Sequence, residues 1–165
     1  MLIMDAARQA AEDVLDEHWD GTFPVNPVDI ANRLDIEVKS ARFKDAATSG
    51  AIIATDVRDV AIYFAEDDPF VRQIFTIAHE IGHFSERRAV SDEEFSFVEK
   101  RHPSSYDLHE FYADEFAGNL LMPTREFCTL WNGGKKVQDL ARYFGVSGEA
   151  VRKRLERLRK YGELS

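Results

Sequence analysis

The sequence predicts an α+β fold: a small, mainly antiparallel sheet set against a helical body, with an H-E-x-x-H helix and a C-terminal pair of helices resembling a helix-turn-helix. Three observations carry that expectation. Apolar residues recur at helical spacing through most of the chain, three short β-branched runs cluster between residues 36 and 65, and polar turn residues separate those runs. With 165 residues and 44% hydrophobic content, one core can form without covalent staples.

Each element has a local cause. Ile3, Ala7, Ala10 and Val14, with Ala6, Ala11 and Leu15 beside them, mark a first helix stopping near Asp20-Gly21. Asn26 and Pro27 suit the cap and first position of a short helix carrying Ile30 and Leu34. Strand-like runs follow at Ile36 to Phe43, Gly50 to Thr55 and Val60 to Ala65. Asp68 and Pro69 open a helix in which Phe70, Val71, Ile74, Phe75, Ala78 and Ile81 recur. Residues 85–107 show no clear period and include Pro103, so they read as a loop with one short helical piece. Leu108 to Met122 is helical again, and Pro123-Thr124 restarts a short helix ending at Gly133-Gly134. Val137, Leu140, Phe144, Val151, Leu155 and Leu158 form two last helices joined at Gly145-Val146-Ser147, Ser147 capping the second. Residues 1–134 are expected to form the main domain, with 135–165 a basic element packed on it.

Composition narrows the classes. The single Cys128, among Phe127, Leu130 and Trp131, excludes an internal disulfide and a Cys-rich zinc module. No stretch reaches the length of a membrane span, and the start of the chain lacks a signal peptide's basic and apolar regions, so the expected location is the cytoplasm. The net charge of −9 is uneven: residues 1–134 hold 12 Lys/Arg against 26 Asp/Glu, residues 135–160 hold 9 against 3.

The chemistry concentrates at His79-Glu80-Ile81-Gly82-His83. Four residues make about one helical turn, so His79 and His83 project from one face and can grip one metal ion, with Glu80 beside them. Two imidazoles and a carboxylate in an apolar helix need buried partners, which a metal supplies at once. A catalytic site needs a third protein ligand and an open position. Glu86, Glu93, Glu94, His102, His109, Glu110, Asp114 and Glu115 are candidates; the extended metzincin pattern is excluded, because Glu86 and Ala89 stand where it requires Gly and His. At about 100° per residue, Glu110 aligns with the core stripe containing Ala117 and Leu121, whereas Glu115 points away. Ala113 and Ala117 allow close helix approach, and Asp114 can accept the outer ring N–H of a liganding histidine. As core-facing acids these invite a metal; as solvated acids on a half-exposed helix they would not.

The block Phe75-Thr76-Ile77-Ala78-His79-Glu80-Ile81-Gly82-His83, then Glu110-x-x-Ala113-Asp114-x-Phe116-Ala117 and Leu120-Leu121-Met122-Pro123, resembles the IrrE/ImmA-type metallopeptidases, relatives of the gluzincins. The resemblance extends over roughly residues 20–160. It implies His79, His83 and Glu110 as metal ligands, Glu80 as catalytic acid/base and Asp114 as an orienting residue. It also implies an intracellular protease of bacteria, mobile elements or phages that cuts a regulatory protein such as a helix-turn-helix repressor. A His/His/Glu donor set with an open position suits Zn2+, one per chain, and accepts other first-row divalent metals.

The substrate is expected to add as a strand beside Val60 to Ala65, with Ile62, Tyr63 and Phe64 at a free sheet edge; the equal alternative is an interior strand paired on both sides, since periodicity does not give strand order. Tyr63, His102, Tyr106, His109 and Tyr112 are chemically able to stabilise an oxyanion, and sequence assigns the role to none of them. The alternative function is a regulator that binds DNA through 135–160, where Arg152, Lys153, Arg154, Arg157, Arg159 and Lys160 gather, or captures a repressor around a structural metal. Glu80 argues against it, since a structural site has no use for a base.

Overall fold

A computed structural model describes residues 2–56, 58–90, 97–101 and 106–165. Helix α1 (Ile3–His18) buries Ala7, Ala11 and Leu15, and packs along a later helix of the body. Helix α2 (Pro27–Arg33) starts as its sequence dictates: Asn26 Oδ1 accepts from the backbone N–H of Val28 and Asp29, and Pro27 fills a position with no N–H to satisfy. Strands β1 (Ile36–Ala41), β2 (Gly50–Asp56) and β3 (Asp59–Ala65) follow, then the long helix α3 (Phe70–Val90). The Gln73 side chain donates to the carbonyls of Ala65, Glu66 and Asp68, tying the turn between β3 and α3.

The segment expected to be a loop carries regular structure. Helix α3 continues to Val90, and β4 (Phe97–Arg101) pairs antiparallel with β2. Strand β4 was hidden because only Phe97 is buried while charged residues occupy three of its remaining four positions, a pattern suited to a sheet edge and nearly silent in hydrophobic periodicity. Helices α4 (Leu108–Leu121), α5 (Thr124–Asn132), α6 (Val137–Phe144) and α7 (Gly148–Lys160) complete an α+β architecture of seven helices and one four-stranded sheet among the described residues.

The sheet order is β1-β3-β2-β4, with β1 and β3 parallel and the other neighbours antiparallel. This corrects the expected free edge. Ile62 has Val38 beside it on β1 and Ile52 beside it on β2, so β3 is interior and its backbone is already paired on both sides. Ile62 is fully buried, and Tyr63 and Phe64 are half-buried within the paired strand, so these three residues offer no ladder to a substrate. The cause is β1, which returns from α2 in parallel along β3; alternation within one strand carries no information about its neighbours.

The core lies where one face of the sheet meets α3, and where α3 and α1 meet α4. Ile52, Ile62, Ile77, Ile81, Phe116 and Leu120 are all excluded from solvent, and each buried side chain of this size contributes about 1.5–3 kcal/mol. Helices α3 and α4 meet at Gly82. A Cβ placed there would lie 3.0 Å from Ala113 Cα and 3.1 Å from Phe116 Cβ, so only glycine permits this approach.

The C-terminal pair packs on the body. Gly145 takes a left-handed φ of 66° after α6, and Ser147 Oγ caps α7 by accepting from Ala150 N–H. Arg154 turns inward, donating to the Met122 carbonyl at 3.1 Å, Asn119 Oδ1 at 3.0 Å and Thr124 Oγ1 at 2.9 Å. Glu115, expected to point to solvent, is instead buried, because α7 covers that flank of α4. Arg157 and the Tyr161 hydroxyl each reach Glu115 Oε1 at 3.0 Å.

Replacing Gly82 tests the helix contact. Valine recovers only a few tenths of a kcal/mol of helix propensity, while overpacking against the α4 backbone costs about 1–3 kcal/mol. Gly82→Val should therefore lower the chemical-denaturation midpoint. An unchanged midpoint would show that α3 and α4 part freely.

Candidate metal centre

Helix α3 brings His79 and His83 to the same face, with 0% and 2% of their surfaces exposed. Helix α4 supplies the opposing carboxylate from its first turn, where Asp107 Oδ1 accepts from His109 N–H and Glu110 N–H and fixes the start of the helix. Glu110 Oε2 lies 3.1 Å from His79 Nε2, and Glu110 Oε1 lies 2.9 Å from His83 Nε2. The two Nε2 atoms are 3.1 Å apart, and one ligand atom from each of the three residues falls within 4.8 Å of the others.

Asp114, one turn after Glu110, holds the far side of the first imidazole. Its Oδ1 lies 2.8 Å from His79 Nδ1, so an Nδ1–H donates outward and Nε2 is the ring atom that faces the centre. Arg101, at the end of β4, comes within 3.8 Å of the same oxygen and donates to Thr76 Oγ1 at 3.3 Å.

The electrostatics favour a cation at this point. Burial lowers the His79 pKa, but hydrogen bonds to Asp114 and Glu110 outweigh it and raise the group to about 9. Burial raises Glu110, and its bonds to both histidines overcome that and bring it to about 2. Asp114 is likewise held below the usual carboxylate range by His79, against its own burial. The cluster thus stabilises positive charge between its donor atoms. Two imidazole nitrogens and a carboxylate are the donors a first-row divalent ion takes, so these residues fit such a metal.

Glu80 completes the centre differently. It is fully buried, and neither carboxylate oxygen has a hydrogen-bond partner among the described residues. Burial pushes it up to about 7, against the pull of His79 and His83. Gly50, opening β2, lies against it: a Cβ there would be 3.3 Å from Glu80 Oε1 and 2.3 Å from Thr76 Cγ2. The missing side chain lets the sheet approach α3 beside the carboxylate.

Of the other candidates, only Tyr106 comes near the centre among the described residues. His109 is exposed and bonds Glu86 at 2.7 Å across the surfaces of α4 and α3. Tyr112 sits in the core, Tyr63 lies within the paired β3, and the largely exposed Tyr106 directs its hydroxyl toward Asp114 and Arg157. Glu93, Glu94 and His102 fall outside the described residues. Arg101 and Gly50 were missed from sequence. Arg101 lies in an aperiodic segment 18 residues after His83, and Gly50 looks like an ordinary turn glycine until the sheet is folded onto α3.

A buried His/His/Glu cluster on two packed helices, with a glutamate beside the first histidine that has no hydrogen-bond partner among the described residues, fits the donor pattern of a metal-dependent peptidase. The Peptidase_M78 family, the IrrE N-terminal-like domain, matches residues 31–156, and the chain belongs to that family. Membership supports a metal-dependent peptidase. Among curated proteins none matches. The fold is similar to that of a Mycobacterium tuberculosis transcriptional regulator of solved structure, with a TM-score of 0.61 and 21% identity over 92% of this chain and 46% of that one. The likeness is one of fold, and this chain spans less than half of that protein's length. Among the described residues no helix is long and apolar enough to cross a membrane.

Removing the Glu110 carboxylate should empty the centre, so Glu110→Ala is expected to show reduced metal by elemental analysis after dialysis. Asp114→Asn should weaken metal affinity about 10- to 100-fold, measured by competition with a chromogenic chelator. Full occupancy in Glu110→Ala would point to a different ligand set.

Proposed function

We propose that the protein is a zinc-dependent metalloendopeptidase of the cytoplasm that makes limited cuts in a regulatory protein, such as a helix-turn-helix repressor. The observation carrying this reading is Glu80: a fully buried carboxylate whose two oxygens have no hydrogen-bond partner among the described residues, placed beside His79, His83 and Glu110. A structural metal site gains nothing from such a group and normally closes its coordination with protein. A hydrolytic site requires it.

His79, His83 and Glu110 would hold the ion. When bound, zinc supplies Lewis acidity, making water acidic near neutral pH and polarising a peptide carbonyl. Glu80, next to His79 on α3, is the group that takes a proton from water and returns it to the leaving amide nitrogen. Asp114 keeps His79 in the tautomer whose Nε2 faces inward. Gly50 and Thr76 press the sheet against α3 and keep bulk water away from the Glu80 carboxylate.

An extended substrate segment has its place along β4, which ends the described sheet order beside β2. Its terminal residue Arg101 bonds Thr76, one turn before Glu80 on α3, so a chain laid along that edge runs toward the site. Backbone pairing of this kind accepts a flexible segment whatever its sequence, which suits limited cleavage of a folded regulator at an exposed stretch.

A DNA reader in residues 135–160 is less well supported. Arg154 and Arg157 turn into the body, and the exposed cations are divided between Lys135, Lys136 and Arg142 around α6 and Arg152, Lys153, Arg159 and Lys160 on α7, on a chain of net charge −9.

Glu80→Gln should retain the metal and lose cleavage of an unstructured test peptide by 100-fold or more, roughly the worth of a general base. Undiminished turnover would remove the mechanism, and loss of metal would make Glu80 a structural residue.

A further inference from the structure

A cavity of about 510 Å³ opens beside the metal centre, within the ~300–1,000 Å³ range of pockets that bind small ligands. Its position follows the two site helices. Phe75 lies one turn before His79 on α3 and Gly118 one turn after Asp114 on α4, and both line it together with Asp114 itself. The opposite wall is the turn before α7 and α7 itself, entering through Val146, Ala150 and Lys153. The C-terminal element therefore reaches a space bordered by the residue that holds His79.

The walls combine two chemistries. Phe75, Met122 and Val146 give an apolar lining. Around them stand five cations against three acids, in a chain whose net charge is −9. Several of these charges are committed within the fold: Arg157 pairs with Glu115 at 3.0 Å and Arg101 bonds Thr76. Arg154, 3% exposed, donates to three neutral oxygens, so its charge meets no carboxylate at hydrogen-bond distance among the described residues. Arg72 and Lys153 keep side chains 62% and 68% exposed, held by looser contacts of 3.8 Å to Asp68 and 3.3 Å to Glu149. A local excess of positive charge over an apolar floor matches a side chain with a short hydrocarbon stem and an anionic end.

We infer that this cavity receives an acidic side chain of the substrate, a glutamate or aspartate close to the cut bond, and that Arg72 on α3 and Lys153 on α7 select it. The inference rests on the peptidase reading for the identity of its ligand as substrate. The C-terminal helix pair becomes one wall of the specificity pocket, and its basic charge serves recognition of an acidic peptide.

The test uses the full chain carrying Glu80→Gln, loaded with zinc, and fluorescent peptides of one length that carry Glu, Gln or Lys at each position in turn. Anisotropy should show one position at which Glu binds about 10-fold more tightly than Lys, with the difference shrinking as salt is raised. Lys153→Glu combined with Arg72→Glu, both on exposed side chains, should abolish or reverse that preference, with circular dichroism confirming the fold. Absence of any charge preference, a preference that survives both reversals, or no peptide binding would overturn the pocket assignment. The same peptides offered to the chain with Glu80 intact separate the two readings. Charge-selective binding without cleavage keeps the pocket and ends the peptidase proposal; cleavage indifferent to charge does the reverse.

Discussion

The close crossing of α3 and α4 at Gly82 and Ala113 governs the rest of the molecule. Histidine spacing on one helix sets the separation of two donors, but the third donor comes from a different helix, and a displacement of 1 Å there alters every distance at the centre. With backbone atoms of Ala113 3.0–3.2 Å from where a Gly82 Cβ would stand, the helices meet almost backbone to backbone. That contact puts Glu110 opposite His79 and His83, and Asp114 against the outer nitrogen of His79, with no long side chains needed to span a gap. Close packing of this kind has few alternative arrangements, which is how a fold holds a constellation to within a fraction of an ångström.

The same economy appears on the sheet side. Gly50 lets β2 come against Thr76 and Glu80, so the carboxylate is enclosed by backbone and a small side chain. A carboxylate enclosed with no hydrogen bond from the described residues is unfavourable for folding, and burial pushes its pKa up. Such groups persist where the surrounding structure fixes them and chemistry uses them. The two glycines thus serve opposite faces of one helix, Gly82 admitting α4 and Gly50 admitting the sheet.

Local chemistry in the sequence was a good guide to local structure. The Asn26-Pro27 and Ser147 caps, the left-handed Gly145 and the histidine pair all follow from residue type at short range, and the structure bears out those caps and the glycine turn. The core-facing placement of Glu110 followed from helical geometry, and that residue is buried. What was illegible depends on distant neighbours. Glu115 looked solvent-facing because periodicity on α4 cannot foresee that α7 will cover its second flank. Strand β4 escaped notice because an edge strand need not alternate, and β3 was misplaced because strand order is a property of the whole sheet. Arg101 and the cavity beside Asp114 exist only after β4, α4 and α7 have met.

The inward turn of Arg154 has a consequence for how this architecture can be divided. Its guanidinium satisfies the Met122 carbonyl, Asn119 and Thr124, all at the end of α4 and the start of α5, while Arg157 and Tyr161 satisfy the buried Glu115. Cutting the chain before residue 135 would strip Glu115 of Arg157 and Tyr161, and Asn119, Thr124 and the Met122 carbonyl of Arg154, at the end of α4 and the start of α5. The C-terminal pair is therefore no transferable module, whatever its outline suggests. Recombination at its border would uncover the flank of α4, the helix that brings Glu110 to His79 and His83.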